Sequence, residues 1–176
     1  MIKNIEALRR LLGLLDMSIH EPLEVFLIGA ANLIARELLS RETMDIDVIV
    51  PPEFPRHVQE AVARIAVKEK IPPKWINTMP SRDARFLAPG WKERSSLFYE
   101  GEYLRAFLIG RKDMVGLKIA AAFDRQRSDA EDLIAMNPTG EEWAFGQEWA
   151  RNYDANPDWP RLIDELVAKL KERQRG

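Results

Sequence analysis

The chain has 176 residues, no cysteine and a formal net charge of −2; 46% of its residues are apolar and 31% charged. That length suits one domain, or one compact domain with a helical appendage, and the apolar share is enough for a hydrophobic core. The lack of cysteine excludes disulfides, thiolate zinc sites and cysteine nucleophiles, and the balanced charge gives no global basic field of the kind that advertises nucleic-acid binding.

Helical spacing of Ile5, Leu8, Leu11, Leu12 and Leu15 predicts a first helix over 5–15, with Asn4 as its cap. The apolar run from Glu24 to Ile28 ends at Gly29 and reads as a buried strand, followed by a helix from Ala30 to Leu39 rich in Ala, Leu and Ile. Asp45 to Val50 alternates at its start, is β-branched, and is stopped by Pro51 and Pro52, which predicts a second strand. Residues 55–69 read as an amphipathic helix with Val58, Val62, Ile65 and Ala66 on one face; residues 71–92 read as irregular.

Ser96 to Phe98 and Tyr103 to Ile109 flank Glu100-Gly101-Glu102, a hairpin signal. Helices follow over 113–123 and 129–136. Thr139-Gly140-Glu141-Glu142 is a capping box that opens another, and Asp158 caps a last one with Pro160 in its first turn. The order gives an α+β fold: a mixed sheet flanked by helices over residues 1–110, then a helical C-terminal region over 111–176. Glu6 interrupts the N-terminus, and no apolar run approaches the roughly 20 residues of a membrane span, so a soluble, cytoplasmic protein without a membrane partner is expected.

Asp45-Ile46-Asp47 carries the chemistry. On a strand, residues i and i+2 point to one face, so two carboxylates stand side by side with Ile46 buried behind them. Two adjacent anions call for a cation, and hard oxygen donors of this kind suit Mg²⁺ (or Mn²⁺), which takes one or two carboxylates plus substrate phosphates. Upstream, Gly29-Ala30 ends a strand and starts a helix, and the free backbone N–H groups of such a turn favour a phosphate. His20 and His57 stand without partner spacing and receive no role; the five tryptophans read as core and interface aromatics.

The text Phe26-Leu27-Ile28-Gly29-Ala30-Ala31 followed by Arg41-Glu42-Thr43-Met44-Asp45-Ile46-Asp47-Val48 resembles the nucleotidyltransferase superfamily with the polymerase-β-like fold. Its Arg-x-Thr-x-Asp-Ile-Asp-Val form, and a later block of Asp113-Met114-Val115-Gly116-Leu117-Lys118, Arg125, Arg127, Asp129 and Asp132-Leu133, are similar to a bacterial branch that includes AbiEii-type toxins. The resemblance implies transfer of a nucleoside monophosphate from an NTP to an RNA (such as a tRNA end) or protein hydroxyl, and a cognate antitoxin as partner. It implies that Asp45 and Asp47 hold the metal, that Gly29, Ala30, Arg41 and Thr43 contact nucleotide phosphates, and that Lys118 meets a phosphate or the acidic pair Asp129 and Asp132. A third carboxylate is expected on a later strand; Glu93, Glu100 and Glu102 lie near the hairpin without a clear strand pattern, and Asp129 or Asp132 is the alternative. Ala30 departs from the family pattern, which has Gly or Ser there.

Overall fold

The structure, a computed structural model, describes residues 1–124 and 127–175. Among these the elements run α1 (Ile5–Asp16), β1 (Leu23–Ile28), α2 (Gly29–Ala35), β2 (Ile46–Val50), α3 (Arg56–Glu69), β3 (Ile76–Asn77), a 3-10 helix (Met79–Phe86), β4 (Ser96–Glu100), β5 (Leu104–Leu108), α4 (Arg111–Asp124), α5 (Arg127–Met136), α6 (Gly140–Ala150) and α7 (Trp159–Arg175). The fold is α+β, built on a five-stranded mixed sheet of order β3-β2-β1-β5-β4. None of the described helices is long and apolar enough to cross a membrane. The chain forms two compact units: Met1–Arg85 with Ser95–Ile109, and Phe86–Arg94 with Gly110–Gly176.

The first unit holds the sheet. β1 pairs antiparallel with β2 and parallel with β5, β2 pairs parallel with β3, and β4 pairs antiparallel with β5. Val25, Leu27, Ile46, Val48, Leu104, Ala106 and Leu108 enter one core cluster with Leu8, Leu12 and Leu15 of α1 and Val58, Val62 and Ile65 of α3. The apolar periods of both helices thus meet one face of the sheet. Asn4 caps α1 as its position predicts, its Oδ1 accepting from the Ala7 N–H at 3.0 Å.

Apart from shifts of one or two residues at other element ends, three features differ from the sequence expectation. The strand after the acidic motif starts at Ile46, so Asp45 precedes it. The helix expected to reach Leu39 stops at Ala35, because Glu37 takes a left-handed φ of 57°. The Glu37 N–H then bonds to Ile34 O (3.0 Å) and the Leu38 N–H to Leu33 O (2.9 Å), the pattern that closes a helix in a Schellman motif. Within 71–92, expected to be irregular, Ile76 and Asn77 add an edge strand and Met79–Phe86 forms a 3-10 helix.

The second unit is helical. Gly116 of α4 and Gly146 of α6 bring these helices into close approach: a Cβ on Gly146 would stand 2.7 Å from Val115 Cγ1 and 2.9 Å from Gly116 N. Arg94 ties the segment before β4 to α4, its Nε and Nη2 bonding both Asp113 oxygens at 2.9 and 2.7 Å. The capping box at Thr139 and Glu142 forms with both reciprocal bonds. Burial alone would raise the Glu142 carboxyl, but the Arg111 guanidinium and the Thr139 N–H outweigh it and hold the pKa below the ordinary value. Trp143 and Trp159 are core residues here, as Trp75 is in the first unit.

Candidate functional site

β1 ends where β2 begins, because the two strands are antiparallel; Ile28 pairs with Asp47. Ile46 and Val48 are fully buried in the core, and the period-two alternation turns Asp47, half-buried, to the opposite face. Asp45, also half-buried, leads into the strand one residue earlier.

Gly29 follows directly at the end of β1. Its φ is +64°, a left-handed backbone that glycine adopts without strain, and an ideal Cβ there would lie 2.9 Å from Asp47 Oδ2. Glycine is thus needed twice, for the turn and to leave room for the carboxylate. Ala30 lies in the first turn of α2 and is half-buried. No side chain caps this helix, whose N-cap is Ile28. With seven residues, α2 is short, so the phosphate cradle expected here rests on few aligned peptides.

Each carboxylate is held by a neighbour. Thr43 Oγ1 donates to Asp45 Oδ1 at 3.1 Å. Thr43 is itself pinned by two backbone bonds to Ile2, at 2.8 and 3.0 Å, and Ile2 is buried in the core. In this structure the Thr43 hydroxyl orients Asp45. Asn77 Nδ2 donates to Asp47 Oδ1 at 3.1 Å from the adjacent strand, where the two residues are register partners. Arg41 lies exposed in the loop before Thr43.

Behind the Gly29 turn, Asn32 is fully buried and its Nδ2 donates to Leu27 O (2.8 Å) and Ile109 O (3.3 Å). Arg36 bonds Asn32 Oδ1 at 3.0 Å and Ile109 O at 2.9 Å. These two residues tie the C-terminal ends of β1 and β5 together, which fixes the level at which Gly29 emerges. Neither was a sequence candidate; a polar pair at i and i+4 in an apolar helix is the signal that marks them. Asn77 was missed for a different reason: its strand is two residues long within a proline-rich stretch and has no pattern of its own.

Lys118, Asp129 and Asp132 belong to the second unit. Lys118 does not snorkel to solvent. Its ammonium is buried and donates to Asp129 Oδ1 and Asp132 Oδ2, both at 2.6 Å, so the structure brings all three together. A pairing of Asp132 with Arg125 or Arg127, which the spacing also allows, lies outside the described residues.

The donor set fits a magnesium ion that shares its shell with substrate. Two half-buried carboxylates, two residues apart in the chain, each accept a hydrogen bond from a neutral donor, Asp45 from Thr43 and Asp47 from Asn77. Mg²⁺ keeps waters and phosphate oxygens beside one or two carboxylates and needs no complete protein cage. Among the described residues no cluster of three or more His, Asp or Glu side chains is arranged to hold a metal. Of the candidates near the hairpin, Glu100 pairs with Arg105 at 3.5 Å, and the Glu102 N–H bonds Asp16.

No curated protein and no solved structure matches the chain. A family described as nucleotidyltransferases of unknown function, DUF6036, matches residues 5–139, a span that contains Gly29, the Asp45/Asp47 pair and Lys118 to Asp132. The chain belongs to this nucleotidyltransferase family.

Proposed function

We propose that the protein is a Mg²⁺-dependent nucleotidyltransferase that moves a nucleoside monophosphate from an NTP to a hydroxyl of RNA or of a protein. The observation that carries this reading is the Asp45/Asp47 pair beside Gly29, with Thr43 and Asn77 orienting one carboxylate each. Asp45 and Asp47 would hold the ion. When bound, Mg²⁺ supplies charge neutralisation at the triphosphate and polarises the phosphorus that is attacked.

The acceptor oxygen bonds to the α-phosphorus as the bond to the bridging oxygen breaks; pyrophosphate leaves and the acceptor proton passes to water. The chain's own residues orient and make room. Gly29 keeps the space in front of Asp47 open, and Arg41, exposed beside the motif, offsets phosphate charge. Lys118, Asp129 and Asp132 are assigned to the ion cluster of the second unit. The similarity to AbiEii-type toxins supports a bacterial toxin–antitoxin setting in the cytoplasm, with an antitoxin as partner.

The test is incubation with each labelled NTP, Mg²⁺, total RNA and candidate proteins, against Asp45→Asn and Asp47→Asn, with Mg²⁺ binding followed by calorimetry. Transfer of label that both variants lose by about 100-fold or more supports the reading. Absence of transfer from any NTP, together with no Mg²⁺ binding, would sink it. Two observations favour a second reading, a nucleotide-binding module without transfer activity: Ala30 stands where the resembled superfamily pattern has Gly or Ser, and the neighbour of Asp47 on β3 is an amide instead of an acid. In that case Mg²⁺ and NTP bind without turnover.

A further inference from the structure

We infer that Asn77 is the positioning residue of this site, fixing the Asp47 carboxylate through a neutral amide where an acid would bring a third negative charge. The inference rests on the metal-binding reading above and deepens it.

The orientation of the Asn77 amide is decided by its other bond. Asn77 Oδ1 accepts from the Met79 backbone N–H at 3.0 Å. A backbone N–H can only donate, so the oxygen of the amide must face Met79 and the NH₂ must face Asp47. The NH₂ then donates to Asp47 Oδ1 at 3.1 Å. The other carboxylate oxygen, Oδ2, lies against the bare Cα of Gly29. Asp47 is therefore set between an amide on β3 and a glycine on the β1 turn, and the parallel pairing of Asp47 with Asn77 fixes the first of these contacts in register.

Such an orienting bond matters to a metal because it holds the carboxylate in one rotamer and removes the entropy lost on binding; outer partners of metal ligands are worth about 10–100-fold in affinity. Charge gives a separate handle. In Asn77→Asp the Met79 N–H can still be satisfied, but the second oxygen would face Asp47 Oδ1 as a like charge. The metal-free protein should lose stability, whereas a divalent cation should be held more tightly. A residue that merely supports the fold would move both quantities in the same direction.

The experiment is Mn²⁺ binding by electron paramagnetic resonance, with thermal unfolding without metal, for the native full chain, Asn77→Ala and Asn77→Asp. The expected result is binding about tenfold weaker in Asn77→Ala, and, in Asn77→Asp, tighter binding with a lower metal-free Tm. Binding by Asn77→Ala within about twofold of native, or a loss of both affinity and Tm in Asn77→Asp, overturns the role of Asn77 while leaving the metal site standing. No Mn²⁺ binding by the native chain overturns the metal site and this inference with it.

Discussion

The Asp16 carboxylate occupies the space that a side chain on Gly101 would need: an ideal Cβ at Gly101 would lie 2.2 Å from Asp16 Oδ2. Asp16 ends α1, and its oxygens accept the backbone N–H groups of Glu102, Tyr103 and Leu104 at 3.1, 2.8 and 2.7 Å, so one carboxylate joins the helix to the β4–β5 turn. Gly101→Ala should cost about 2–4 kcal/mol, because the carboxylate is tethered and cannot step aside. In an Asp16→Ala background the same change should cost less by at least about 1 kcal/mol. Urea denaturation of the four proteins in this cycle checks it, and strict additivity would refute the contact.

The same carboxylate makes stability depend on pH. Burial pushes the Asp16 carboxyl up, but the N–H bonds from Tyr103, Leu104 and Glu102 and the Tyr99 hydroxyl outweigh it, and its pKa lies below the ordinary carboxylate value. The unfolded chain, with a pKa of about 3.9, then binds more protons than the native one in the acid range. The contribution is complete above about pH 4 and is lost as pH falls through the lower native value. The stability difference between the native protein and Asp16→Asn should therefore shrink as denaturation curves are taken from about pH 6 towards about pH 3. A difference that stays constant or grows contradicts this.

At the candidate site, Gly29→Ala combines a positive φ with a Cβ placed 2.9 Å from Asp47 Oδ2. The backbone strain should cost about 1 kcal/mol. The shift forced on Asp47 should weaken Mg²⁺ binding by about tenfold in calorimetry. Unchanged binding would show that Asp47 does not face the ion from this side.

In the second unit, Lys118→Ala leaves Asp129 and Asp132 without their shared ammonium. Removing one partner of a buried ion cluster should cost about 3–5 kcal/mol, and replacing all three members (Lys118→Met with Asp129→Asn and Asp132→Asn) should cost clearly less. Thermal and urea unfolding of the two variants test the order; the reverse order rejects the cluster as a structural unit.

Glu37→Gly should stabilise the protein by roughly 0.5–1 kcal/mol, since glycine occupies the left-handed C-terminal position of α2 without steric cost. A chemical denaturation midpoint that does not rise would place the strain elsewhere.

Much of the fold was legible locally. The Asn4 cap and the Thr139/Glu142 capping box are signals complete within four residues, so they appear in the structure as read. Helix ends were less legible, because Glu37, Lys70 and Asn137 all take positive φ without a glycine to announce it.

The Asp45-Ile46-Asp47 motif, the alternation that buries Ile46 and Val48 and leaves Asp47 half-buried, and the glycine upstream were set by the sequence, because strand periodicity and the φ preference of glycine act on neighbouring residues. What the tertiary structure alone decided is who holds each group. Asn77 reaches Asp47 only because a two-residue strand joins the sheet edge, and Thr43 aims Asp45 only because Ile2 pins it. Lys118 is directed to two carboxylates on the next helix, 11 and 14 residues away. Hydrogen bonds of this kind need donors and acceptors within about 3 Å, and for residues far apart in the chain only the folded backbone sets that distance.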